Sequence, residues 1–472
     1  MSRFLRSQPF SPHHQCYPPT TVKIPALWQF GLIFAGLCAD LPQARADEWS
    51  LHLVLSGQLA ATDNVFQVPS NSPEGLPREG DAFLQVRPGL LGTYATRRTT
   101  HEVTADLDVL AFARNRDAWS ISGRGGWRGI FTLSPRSELV AGAGVGTGTL
   151  NTLVARSADP AAALAPTGTN TFISADATQQ MTYQGSREVR LTEHARAQAV
   201  QTANAMDQAN VSYDLSFGGG FDRTWRSDAV GADLTGSFVS FSRGDGTRGA
   251  DQLFNIRAAG QWRHDVSRRW TSNIDGGLVV VAPISRNGDS VVVPIIGGQI
   301  AYAPQWGSAS ISVSRSVVPN LFIAQNTVAD TVTAAVNMPL PWLSAERARP
   351  HWSTVGAIGF ARSQLIDTER GRLASSFNVF NADLALQYAV SEASGLALRY
   401  QFIRQSGNAD SLTIIQGYAR NTVLLAFTYR FPARQAARFP NRTSLRVDRS
   451  DITPIGDEPG ARGSTAPATE RQ

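Results

Sequence analysis

The sequence predicts an all-β fold, a single antiparallel transmembrane β-barrel of about eighteen strands running from Trp49 to Phe431. Three observations predict it. Apolar residues alternate with small or polar ones at period two over stretches of about ten residues, separated by turn-rich segments. The connections alternate between short and long. Eight tryptophans gather near one set of proposed strand ends, and only Trp119 of the chain beyond the leader lies near the other.

Residues 1–46 read as a cleaved export signal. Arg3, Arg6 and Lys23 supply positive charge, residues 24–41 are mostly apolar, and Ala44-Arg45-Ala46 is a small-x-small cleavage site. The uninterrupted apolar core, residues 30–39, is too short to span a bilayer. Leu37 stands where lipoprotein attachment at Cys38 needs a small residue. Both cysteines, Cys16 and Cys38, fall in this leader, which excludes a disulfide framework or thiolate metal site beyond it. Lys23 is the only lysine, so every later basic charge is arginine.

The remaining length would suit two or three soluble domains. Period-two alternation instead runs almost throughout, and no apolar run beyond the leader reaches the length of a membrane helix. The first strand carries Trp49, Leu51, Leu53, Leu55, Gly57 and Leu59 on one face, and a polar stretch over 62–81 follows. Leu84, Val86, Pro88 and Leu90 form the second, with a tight turn at Thr96-Arg97-Arg98-Thr99. In the third, Val103, Ala105, Leu107 and Val109 oppose Thr104, Asp106 and Asp108, and two carboxylates on one inward face suit a water-filled lumen. Further strands are expected at 119–131, 139–145, 173–183, 189–199, 211–221, 230–238, 254–262, 270–280, 296–302, 309–313, 328–338, 352–360, 384–390, 396–402 and 423–431. Glu193 breaks the pattern by sharing the oily face of Val189 and Leu191; a position above the hydrocarbon, cover by a neighbour, a different register or a nearby bulge would each explain it.

Short connections at 134–137, 185–187, 266–269 and 391–394 interleave with longer ones near 151–170, 243–252, 282–290, 362–377 and 406–420, and residues 339–350 form a longer member of the first set. Short turns face the periplasm and long loops the outside. Residues 432–472 begin basic, with Arg434, Arg438, Arg442, Arg446 and Arg449, then turn acidic at Asp451, Asp457 and Glu458; lacking a core-forming pattern, they read as a disordered periplasmic tail.

On these registers Arg87, Asp106, Asp108, Arg124, Arg190, Arg196, Asp214, Asp233, Arg257, Asp275, Asp383 and Arg399 point into the lumen. Mixed signs argue against a single-ion filter, and cross-strand pairing that holds the wall together accounts for each position equally well. Gly142, Gly144, Gly146 and Gly148 superficially suggest a phosphate loop. Period two puts all four on one face and no helix follows, so they instead remove bulk from the lumen wall. His194 beside Glu193 and His264 beside Asp265 lack metal-ligand spacing or a nucleophile motif. No enzyme activity, cofactor, metal or nucleic-acid partner is expected.

The last strand, with Val423, Leu425, Phe427, Tyr429 and Phe431 on one face, resembles the C-terminal assembly signal of bacterial outer-membrane proteins, although in that class the Phe usually ends the chain. The resemblance implies recognition by the barrel-assembly machinery and residence in outer-membrane lipid. Ala61-Thr62-Asp63-Asn64-Val65-Phe66 resembles a T-D-N-(V/I)-(F/Y) pattern of outer-membrane exopolysaccharide-export porins. That resemblance implies a porin carrying a secreted polysaccharide outward together with a periplasmic polysaccharide export protein. Inward aromatics such as Phe83 and Phe112 would then stack on sugar rings or narrow the bore. A passive diffusion porin for small solutes and a non-conducting structural or surface-interaction barrel are the alternatives. A TonB-dependent receptor would need room for a plug and twenty-two strands.

Overall fold

The computed structural model describes residues 48–65, 79–116, 119–149, 171–203, 209–242, 251–284, 288–304, 306–321, 325–343, 351–367, 372–391, 393–407 and 417–431. The expected signal, the tail and most residues of the long loops lie outside them. Eighteen strands follow in order: β1 (Glu48–Thr62), β2 (Asp81–Ala95), β3 (Thr99–Phe112), β4 (Ser120–Ser134), β5 (Ser137–Thr149), β6 (Thr171–Gln184), β7 (Val189–Ala203), β8 (Ala209–Trp225), β9 (Asp228–Ser242), β10 (Asp251–His264), β11 (Trp270–Pro283), β12 (Val291–Tyr302), β13 (Ser308–Asn320), β14 (Gln325–Pro339), β15 (Trp352–Asp367), β16 (Arg372–Ala389), β17 (Ser394–Gly407) and β18 (Tyr418–Phe431). Each pairs with its sequence neighbours, and β18 returns to β1, so the sheet closes on itself. Eighteen strands about 4.8 Å apart, tilted about 40°, enclose a backbone cylinder about 35 Å across.

Alternation decides which face is which. Leu53, Leu59, Leu84, Leu107, Ile121, Leu234, Ile311 and Leu384 are all exposed on one series. An aliphatic surface of this extent around a closed sheet is stable only against lipid. The chain is therefore an outer-membrane barrel, since closed barrels of this kind span bacterial outer membranes. Trp49, Trp225, Trp262, Trp270 and Trp306 are exposed at the short-turn ends, where amphipathic rings sit at the interface. Glu193 also lies exposed on the lipid-facing series. Its strand pairs with both neighbours without a register shift, so no bulge relieves it.

One connection is shorter than the sequence suggests. The loop expected over 362–377 is mostly strand, because β15 runs to Asp367 and β16 starts at Arg372. Pairing continues through a shift between Gln364 and Ile366, and inward Leu365, Phe377 and Val379 pack together there.

Closure is reinforced by Thr62-Asp63-Asn64-Val65. Asp63 accepts hydrogen bonds from the Asn421 backbone N–H (2.8 Å) and side-chain amide (2.7 Å), and Asn421 accepts one from the Tyr400 hydroxyl (2.7 Å). Asn64, fully buried, donates its side-chain amide to the Ala419 carbonyl at 3.0 Å. A motif that sequence reading associates with a porin family thus clasps the first strand to the last.

β12 and β13 behave differently. They pair only from Ile296 opposite Arg315 to Tyr302 opposite Ala309, leaving Val291 to Ile295 and Ser316 to Asn320 out of that ladder. Pro294 and Pro319 stand on the separated segments, and proline is tolerated where a strand has an unpaired edge. β13 stays paired to β14 up to Asn320 opposite Gln325, and β14 stays paired to β15 up to Thr327 opposite Leu365, so the β13–β14 hairpin parts from β12 alone and remains joined to the wall through β15.

Candidate functional site

The hairpin turns inward. The alternation that sends Ile311, Val313 and Val332 to lipid also governs Val317 and Val328, yet Val328 is fully buried. Val317, Leu321 and Val328 pack against Val239, Val279, Val281, Val291, Val293 and Ile295, which are lumen-facing side chains of β9, β11 and β12. A face that would have met lipid lower down meets the inner wall here. Asn326, 2% exposed, donates its side-chain amide to the side-chain oxygen Oδ1 of Asn255 on β10 (3.2 Å), and the Asn255 amide donates to the Ser237 hydroxyl (3.2 Å). At the departure point Arg315 and Asp330 approach to 3.7 Å, with Arg362 in register opposite Asp330.

All twelve charged residues assigned to the lumen from the sequence lie on the series opposite the exposed aliphatics. Most are tied across strands. Asp108, with its side chain fully buried, accepts both oxygens' hydrogen bonds from the Gln85 amide (2.7 and 2.8 Å) and lies 3.5 Å from the Arg87 guanidinium. Arg257 donates to Asp233 at 3.0 Å, where Thr235 also donates. Arg399 grips both oxygens of Asp383 at 2.9 and 2.7 Å, and Gln401 adds a third bond. Asp106 stands in register with Arg124, and Arg196 lies near enough to Asp214 for their charges to interact while donating to Gln198 (2.8 Å). Asp275 lies over Gly297. Arg190 pairs with Asp222 at 2.6 Å, an acid that sequence reading missed because the strand expected to end at Phe221 runs on to Trp225. Opposite signs lock neighbouring strands together and leave a wall studded with fixed dipoles and ions.

The glycine row fits the same wall. A Cβ on Gly144 would lie 2.7 Å from an Asp176 oxygen and one on Gly142 2.9 Å from the Thr178 hydroxyl, so β6 side chains lie flat across bare β5 backbone. Phe83 and Phe112 do face inward, with ring centroids 5.2 Å apart. They pack with Val65 and Leu110 and leave Phe112 buried, so Phe112 offers no open platform for stacking on a sugar.

Neither candidate acid-base pair forms. His194 faces the lumen beside Thr235 (3.1 Å) and Asp233 (3.9 Å), whereas Glu193 faces lipid. His264 bonds Asp228 (2.9 Å) rather than Asp265. Among the described residues no cluster of histidine and carboxylate side chains is arranged to hold a metal.

No protein-family model and no curated protein matches the chain. Among solved structures it is similar to OccK9 (OpdG) of Pseudomonas aeruginosa, at 11% identity and a TM-score of 0.45 over 82% of this chain and 99% of that one. It is similar to OccAB3 of Acinetobacter baumannii at 11% and 0.44, over 81% and 99%. The siderophore receptor PirA of P. aeruginosa aligns at 9% and 0.42, over 80% of each chain. Likeness this distant carries nothing about cargo.

Proposed function

We propose that the barrel is an outer-membrane channel for the passive diffusion of small hydrophilic solutes. The inward β13–β14 hairpin carries this reading. It takes up part of a lumen that eighteen strands would otherwise leave wide, and the clusters around Phe112 and Phe377 fill more of the extracellular half. Below them lies a polar wall of compensated charge, which lets small solutes exchange water for weak wall contacts without a tight binding step. Passage of a secreted exopolysaccharide is the second reading, and it loses support because the T-D-N-V residues that suggested it are engaged in closing the barrel.

Flux into proteoliposomes distinguishes them. The protein should admit monosaccharides and amino acids and exclude oligosaccharides of increasing length with a sharp cut-off. Equal passage of long oligosaccharides would favour the export reading, and exclusion of every solute would leave a structural barrel.

A further inference from the structure

We propose that the periplasmic rim between β2 and β11 is a binding surface for anionic phospholipid headgroups. Five consecutive hairpin turns at the short-turn end each present arginine: Arg97 and Arg98, Arg136, Arg187, Arg226, then Arg268 and Arg269. All seven side chains are exposed, and none forms an ion pair with a described residue. The carboxylates nearby are engaged elsewhere: Glu188 with Arg223 at 3.3 Å and Asp228 with His264 at 2.9 Å. Among the described carboxylates beside these turns, Glu138 interacts with Arg128, and the exposed Asp265 opposes the arginines. Arg226 even occupies a left-handed backbone position (φ 50°), where glycine or asparagine is the less strained choice.

Their placement selects the occupant. Trp225 and Trp270, exposed on the lipid-facing series, directly adjoin Arg226 and Arg269, and the Arg223 guanidinium lies 5.9 Å from the Trp225 ring centre. Interfacial tryptophan marks the edge of the hydrocarbon, so guanidinium groups one or two residues beyond it sit at the depth of lipid phosphates, which they bind bidentately. Successive turns are two strands apart, so the cations recur about every 12 Å along the rim. Cations at one height along a curve match a layer of many small anions better than one compact acidic protein face. The opposite end differs: its long loops intersperse acids and arginines, as in Glu74, Arg78 and Glu79 or Arg243, Asp245, Arg248 and Asp251. In the remaining short turns Arg347 and Arg349 lie outside the described residues.

The full-length barrel, exchanged into mixed micelles of phosphatidylglycerol and phosphatidylcholine, should retain phosphatidylglycerol several-fold over its share, as counted by native mass spectrometry. High salt should reduce that excess. Replacing the seven rim arginines by glutamine should abolish it while the protein keeps the heat-modifiable gel mobility of a folded barrel; Arg243→Gln with Arg248→Gln at the other end should not. If the sevenfold variant fails to fold, Arg268→Gln with Arg269→Gln alone should remove part of the excess. No enrichment by the native protein, or equal enrichment by the rim variants, overturns the proposal. Binding of polyglutamate without lipid enrichment overturns it in favour of an acidic protein partner. The outcome is independent of what crosses the lumen.

Discussion

Two junctions in this barrel invert what chain connectivity would suggest. β18 and β1 are joined by no turn, yet they pair from Leu53 opposite Phe431 to Thr62 opposite Thr422, and Asp63 and Asn64 extend the contact beyond the ladder. β12 and β13 are consecutive, yet they part above Ile296. The difference teaches where hydrogen bonds are indispensable. An open seam through the hydrocarbon would strand backbone polar groups in lipid, each costing several kcal/mol. Towards the extracellular end water is available, so a hairpin still paired to β15 on one side can part from β12 on the other if burial of its own apolar face compensates. Val317, Leu321 and Val328 supply that burial.

The contrast can be broken from either side. The largest effect is expected from Val281→Asp, which would bury an unpaired carboxylate under the docked hairpin at a cost of about 3–5 kcal/mol. Undocking relieves it by exposing the group to the lumen, so the barrel should stay folded while protease gains access to residues 316–329, read by mass spectrometry of the fragments. Asp63→Ala attacks the seam instead. It leaves the Asn421 N–H and amide without their acceptor, for a loss of about 1–3 kcal/mol, and should lower the temperature at which the barrel loses its compact gel mobility. Asn326→Ala should loosen the hairpin by about 1 kcal/mol without touching the seam, raising protease access less than Val281→Asp does. Glu193→Leu, remote from both junctions, should raise barrel stability by about 1 kcal/mol or less, measured by denaturant titration in lipid, because it removes a carboxylate from the lipid face.

Much of the wall was legible in the sequence because period two is a local signal. Once Leu51, Leu53 and Leu55 define an outer face, Ser50, His52 and Val54 must face in, and the same reasoning carried Asp233, Arg257 and Asp383 to the lumen. The inward hairpin was not legible, since Val317 and Val328 obey the same alternation as lipid-facing Val313 and Val332. Pro294 and Pro319 fit an unpaired edge, but Pro88 stands within β2, which stays in the wall, so proline alone does not mark the departure. Pairing partners were equally hidden: nothing local tells Asp108 that Gln85 and Arg87 will meet it, because register is set by the closure of the whole sheet.

The most direct test is single-channel conductance in planar bilayers, comparing the native protein with a variant in which residues 316–329 are replaced by a short Gly-Ser turn. The account predicts discrete steps from the native barrel and steps several-fold larger from the trimmed one. Equal conductance, or silence in both, would contradict the view that the hairpin narrows an otherwise open lumen.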